Sequence, residues 1–158
     1  MSAAETRPIR AVALDVDGVL TDDGFYWGAN GEELKRFSFL DVMGVARATR
    51  AGLVFALISG EDSPLVTRYA EKLGIAAVYR GCKDKAAALR DFAEKQGLGL
   101  DEVCFMGNDV NDLGAMAIAG LSAAPADAHE AVLAQVKLVT RKPGGRGAVR
   151  ELLDGLIA

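Results

Sequence analysis

Four short apolar runs punctuate this chain, and each gives way at once to polar residues. The first, Ala11-Val12-Ala13-Leu14, breaks into Asp15-Val16-Asp17-Gly18. Runs over 53–58, 77–79 and 103–106 end in Ser59-Gly60, shortly before Lys85, and in Gly107-Asn108-Asp109. Their length and their β-branched and aromatic content predict buried strands. Between them lie stretches with helical period. Asp41 is placed to cap a helix running to about Arg50 and stopped by Gly52. Ser63-Pro64, a cap followed by a first-turn proline, opens a helix that Gly74 ends. An Ala-rich amphipathic helix is predicted over 83–96, with others over 112–119, near 128–136 and over 148–156. A short strand is predicted over 121–123.

Residues 24–27 and 33–37 flank Gly28-Ala29-Asn30-Gly31. Asn-Gly between two strand-like runs signals a hairpin, here over about 24–37. Strands alternating with helices predict an α/β, doubly wound, mostly parallel (Rossmann-like) sheet with right-handed crossovers. No linker or repeat divides the chain, so 9–158 is read as one domain and 1–8 as a flexible amino terminus.

Composition narrows the chemistry. A chain of 158 residues, 51% hydrophobic and 25% charged, can bury a real core. Its net charge of −4, with Lys and Arg scattered, leaves no footprint for nucleic acid. No apolar run approaches the ~20 residues of a membrane span, and residues 1–10 lack a signal-peptide core. A cytoplasmic protein without membrane or nucleic-acid partners is expected. Cys82 and Cys104 match no metal or redox spacing, and Cys104 reads as a buried thiol. His129, the single histidine, reads as a surface or capping residue. Any chemistry must therefore rest on Asp, Ser, Lys and a metal.

Taken alone, Asp15 and Asp17 are equally well turn residues or a site, because two close carboxylates need a cation, a shared proton or separate roles. The other strand ends decide between these. Loops after parallel strands share one sheet edge, so Asp15/Asp17, Ser59-Gly60, Lys85 and Asn108-Asp109 through Asp112 can converge on one crevice. Such a set supports phosphoryl transfer. Asp15 would attack phosphorus and form an aspartyl-phosphate, while Lys85, Ser59, backbone N–H groups and a hard cation such as magnesium hold the equatorial charge. Asp17 would protonate the leaving alkoxide and then deprotonate water.

Asp15-x-Asp17-Gly-Val-x-Thr21, Ile-Ser59-Gly60, Lys85 and Gly107-Asn108-Asp109-x-x-Asp112 resemble the four motifs of the haloacid dehalogenase superfamily of phosphatases. Gly144-Gly145-Arg146-Gly147-Ala148-Val149-Arg150-Glu151 narrows the resemblance to the 3-deoxy-D-manno-octulosonate 8-phosphate phosphatases and their nonulosonate 9-phosphate relatives. The resemblance implies Asp15 as nucleophile, Asp17 as acid/base, and Ser59, Gly60 and Lys85 as phosphate ligands. It also implies Mg2+ on the Asp15 carboxylate, the Asp17 carbonyl and Asn108, with Asp109 and Asp112 behind them. The commoner family pattern has Asp where this chain has Asn108, so weaker metal binding, or compensation by Asp109 or Asp112, is expected. Asn108 also resembles the cytidylyltransferase-associated branch. Glu61 stands where octulosonate phosphatases usually carry Arg, and with Lys72 it resembles the Glu/Lys pairing of nonulosonate phosphatases.

The intervals Asp17–Ser59 and Ser59–Lys85 are filled by the elements already assigned, leaving no room for a cap domain. An uncovered site admits water and lacks substrate-recognition surface. The hairpin region is aromatic, with Phe25, Tyr26, Trp27, Phe37 and Phe39, and an isolated ribbon is marginal. In the resembling family such hairpins build a homotetramer in which neighbours cover each site. On that basis Thr21, Asp41 and Arg146 are candidate substrate contacts. The implied activity is magnesium-dependent hydrolysis of a phosphorylated 2-keto-3-deoxy sugar acid. The alternatives are a non-catalytic oligomerisation or regulatory module, as in animal cytidylyltransferases, and a receiver domain, whose phospho-acceptor follows a middle strand.

Overall fold

The computed structural model describes residues 7–158. Most of the amino terminus expected to be flexible, residues 1–6, lies outside the described residues. Arg7, the first of the described residues, pairs with Asp101 at 3.6 Å.

The strands are β1 (Ala11–Leu14), β2 (Tyr26–Trp27), β3 (Glu33–Leu34), β4 (Val54–Ile58), β5 (Ala77–Tyr79), β6 (Val103–Met106), β7 (Leu121–Ala124) and β8 (Leu138–Val139). The helices are α1 (Phe39–Arg50), α2 (Pro64–Leu73), α3 (Lys85–Lys95), α4 (Leu113–Ile118), α5 (Glu130–Leu133) and α6 (Ala148–Leu156). Six strands form one parallel sheet in the order β5-β4-β1-β6-β7-β8. Strand order runs outward in both directions from β1. The carboxyl end of β1 is therefore the topological switch point, where open α/β sheets form their crevice.

Period-two geometry divides β1 between two cores. Val12 and Leu14 join a cluster with α1, α2 and α6; Ala11 and Ala13 join one with α3 and α4. Helices thus cover both faces of the sheet. β2 and β3 form a separate antiparallel ribbon. Between β1 and β4 the chain builds only this ribbon and α1, and between β4 and β5 only α2, so nothing here resembles a cap domain.

Local signals set some boundaries and packing set others. α2 begins after Ser63, whose hydroxyl accepts from Leu65 N, and ends at Gly74 with φ +71°. α1 begins earlier than expected because Ser38, not Asp41, caps it. α3 begins at Lys85, capped by Asp84, rather than at 83. The helix expected near 128–136 shrinks to α5, whose cap is His129, its ring nitrogen accepting from Ala131 N. β8 was not anticipated: two residues carry no period, and the strand exists because β7 pairs with it.

The ribbon divides its aromatics. Phe37 stacks on Tyr69 of α2, with ring centroids 3.9 Å apart. Tyr26 and Trp27 stay 67% and 72% exposed, and Phe39 78%.

Candidate active site

The end of β1 turns sharply, and Thr21 closes the turn. Its hydroxyl accepts from Gly18 N and Asp23 N, both at 3.2 Å, and donates to Asp17 Oδ1 at 3.3 Å. Gly18 sits at φ +84°, and a Cβ there would overlap the Asn108 side chain, so both conformation and space require glycine. Behind the turn lies the Gly144-Gly145 loop, with Gly145 N donating to Val19 O at 3.0 Å. A Cβ on Gly144 would overlap the Gly18 carbonyl, which explains the paired glycines. Arg36 ties this loop to the ribbon's exit by donating to Gly145 O.

Four buried side chains then interlock. Asp15 Oδ1 accepts from Val16 N at 2.8 Å and from Lys85 Nζ at 3.1 Å. Lys85 also donates to Asp112 Oδ1 at 2.7 Å. Asp112 Oδ2 receives the backbone N–H groups of Asn108 and Asp109 at 2.9 and 3.1 Å. The helix start of α3, the β6 loop and the end of β1 are thus fastened together by one ammonium and two carboxylates. Burial, and then the charge of Asp112, push the Asp15 carboxyl up to about 8 against the pull of Lys85. Burial disfavours the Lys85 ammonium, but Asp15 and Asp112 outweigh it and hold its pKa above the ordinary value.

Asn108 completes the cluster. One end of its amide stands 2.9 Å from the Asp17 carbonyl oxygen and 3.0 Å from Asp15 Oδ2. With nitrogen at that end, the amide donates to both. With oxygen there, three oxygens converge, an arrangement that a cation, or a proton on the raised Asp15 carboxyl, relieves. The spacing suits a cation: adjacent ligands around an octahedral magnesium at 2.0–2.1 Å lie about 2.9–3.0 Å apart. The donors are a carboxylate, a backbone carbonyl and an amide. Among the described residues no three His, Cys, Asp or Glu side chains are grouped to hold a metal; this set instead mixes a carboxylate with a backbone carbonyl and an amide.

A crevice of about 400 Å³ opens over the cluster. Asp15, Asp17, Ser59, Gly60, Glu61, Lys85, Asn108 and Asp109 line it, so eight of the thirteen residues singled out in the sequence meet there. Ser59 is almost fully buried and its hydroxyl accepts from Glu61 N at 3.2 Å. Asp109 caps the short 3-10 turn Val110–Asp112. Asp112 lies directly beneath, fully buried. The mouth is acidic: burial first, then Asp17, Asp109, Asp127 and Asp22, raise the Asp23 carboxyl.

Four expected substrate contacts lie elsewhere. Thr21 is fully buried inside its turn. Asp41 is also fully buried; its Oδ1 accepts from Arg150 N at 3.0 Å, so it caps the start of α6, which packs across α1. Both therefore hold backbone rather than face the crevice. Lys72 sits 5.3 Å from the centre of the Phe39 ring, in a groove between α1 and α2, and forms no pair with Glu61. Arg146 stands 3.8 Å from Asp22, half exposed at the edge of the Gly144-Gly145 loop.

Sequence reasoning missed Asp23, Cys82, Lys83 and Asn111, which line the crevice, and above all Lys35. Its Nζ donates to both oxygens of Asp17, at 3.0 and 2.9 Å. Lys35 is 18 positions from Asp17, at the exit of the ribbon. Nothing local to either residue announces the pair.

Comparison with known proteins settles the family. A profile of haloacid dehalogenase-like hydrolases matches residues 27–152. The chain belongs to this family. It is 42% identical to the 3-deoxy-D-manno-octulosonate 8-phosphate phosphatase KdsC of Escherichia coli K12 over 154 residues, 98% of this chain and 82% of that protein. Among solved structures, the octulosonate phosphatase of Yersinia pestis superposes with a TM-score of 0.91 at 40% identity, covering 94% of this chain and 80% of that one. The Moraxella catarrhalis phosphatase, solved with magnesium, phosphate and the octulosonate itself, gives 0.91 at 34% identity, covering 94% and 86%. The profile begins beyond Asp15 and Asp17, whereas the alignment with the Escherichia coli relative spans 98% of the chain.

Proposed function

We propose that this hydrolase is a magnesium-dependent phosphomonoesterase acting on a phosphorylated 2-keto-3-deoxy sugar acid. The observation that carries the reading is the buried Asp15–Lys85–Asp112 network opening beneath the three oxygen donors Asp15, Asp17 and Asn108. A bound magnesium ion would offset the charge that the carboxylates and a substrate phosphate bring together. The Asp15 carboxylate attacks phosphorus, the bond from phosphorus to the sugar oxygen breaks, and Asp17 supplies a proton to that oxygen. Asp17 then takes a proton from water as the water attacks the aspartyl-phosphate, releasing phosphate and restoring Asp15. Lys85 and the Ser59 hydroxyl, both on the crevice wall, donate to the transferring oxygens in this reading.

The favoured substrate is 3-deoxy-D-manno-octulosonate 8-phosphate, the compound for which the relatives are named. Glu61 on the crevice wall sustains a second reading, a nonulosonate 9-phosphate, though Lys72 gives it no support within one chain. Phosphate release from the two compounds, with and without magnesium, tests both. Higher kcat/KM on the octulosonate decides for the first reading. No turnover on either favours a regulatory module instead.

Asn108→Asp tests the metal donors. The added charge is expected to tighten magnesium binding in calorimetry and lower the concentration for half activity. It also sets a carboxylate beside Asp15 Oδ2, so the metal-free variant is expected to melt below the parent chain. Unchanged magnesium affinity would remove Asn108 from the donor set.

The exposed ribbon aromatics support assembly of copies into a homotetramer, each site lidded by a neighbour. Sedimentation is expected to give a tetramer mass at micromolar concentration; a monomer would sink the shared lid.

A further inference from the structure

We infer that Lys35 is the positioning residue for Asp17, and that through it the ribbon sets where the acid/base group points; the inference rests on the phosphatase reading above. Lys35 follows β3, whose Leu34 is exposed, yet its own side chain is only 5% exposed. It turns inward from the ribbon to reach the turn after β1. There both Asp17 oxygens are engaged by one ammonium, at 3.0 and 2.9 Å, with Thr21 adding a third bond to Oδ1 at 3.3 Å. A carboxylate held by both oxygens has its rotation fixed, as in any two-point ion pair, so the direction of Asp17 is that of Lys35.

The ribbon in turn sets a second carboxylate near Lys35. Glu33 Oε2 lies 4.0 Å from its ammonium, and the other oxygen of Glu33 accepts from the Trp27 indole at 3.2 Å. A continuous line of polar contacts therefore runs from the exposed aromatic ribbon to Asp17. Asp17 meets the departing sugar oxygen and then the attacking water on the one side of phosphorus opposite Asp15, so a single direction, held by Lys35, serves both steps.

Leaving groups of different basicity separate this role from a structural one. A nitrophenolate leaves as an anion at neutral pH and needs little help, whereas a primary alkoxide needs a proton in transit. We expect Lys35→Met to lower kcat for a primary-alkyl sugar phosphate at least about tenfold more than for p-nitrophenyl phosphate, with KM for either little changed. Lys35→Arg, which keeps the two-point contact, should recover part of the difference. In an Asp17→Asn background Lys35→Met should not shift the ratio further. The ratio of two substrates on one sample does not depend on how much of the variant is folded. Equal losses on both substrates, or a rise in KM alone, would overturn the inference and make Lys35 a scaffold or a substrate ligand. A parent chain that releases phosphate from neither substrate would overturn the phosphatase reading, and this inference with it.

Discussion

Asp15→Asn is expected to abolish turnover, by on the order of 10⁴-fold or more, while the chain stays folded. The amide keeps the shape of the carboxylate and can still accept from Val16 N and Lys85. On the proposed mechanism it loses the nucleophile and a negative donor for the cation. The same variant carries a second signature in the metal-free protein. A carboxyl held at about 8 when folded, against 3.8 unfolded, binds its proton more tightly in the native state. Its contribution to stability is complete below pH 4 and is lost as the pH climbs to 8. Removing the group removes that slope. Melting temperatures of the two proteins should therefore diverge between pH 4 and 8, the variant gaining on the parent. Phosphate release and a pH series of thermal melts measure both effects. Residual turnover above a few percent would show that Asp15 is not the attacking group. Parallel melting curves would show that its burial carries no proton linkage.

Lys85→Met should damage both fold and activity. Lys85 is 3% exposed and serves two carboxylates, so its removal leaves Asp15 and Asp112 facing each other in a dry interior. Breaking a buried ionic network by removing one partner costs about 3–5 kcal/mol, which for a chain of this length lowers the melting temperature by roughly 6–20 °C. Turnover should fall by at least about 10²-fold, as the charge developing on phosphorus loses a preorganised partner. A variant that melts with the parent chain would contradict the network. Asp112 belongs to the same prediction, since its other oxygen holds the backbone that presents Asn108.

Resemblance and geometry diverge at the residues taken as substrate contacts. Asp41, expected to contact substrate, instead accepts from Arg150 N at the start of α6, 109 residues away in the chain. Glu61 and Lys72 share α2 and the loop before it, but Lys72 turns to the Phe39 ring. Side chains on one helix face different neighbours, and spacing alone does not say which neighbour is packed there.

Local chemistry along the chain dictates the frame. Short apolar runs ending in carboxylates, Ser-Gly or Gly-Asn-Asp dictate strands with polar carboxyl ends, and alternating helices dictate a parallel sheet. In such a sheet those ends share one edge, which is why Asp15, Asp17, Ser59 and Asn108 meet at one crevice with Lys85 at the helix start beside it. These outcomes follow from chain-local chemistry and one topological rule. Long-range packing is what makes Lys35 hold Asp17, turns Thr21 and Asp41 inward, lets Ser38 cap α1 and makes two residues suffice for β8. Each of these is settled by which distant segment is packed alongside. A residue's local neighbours set its backbone preferences, but the partner of a buried charge or an edge strand is chosen by the whole fold.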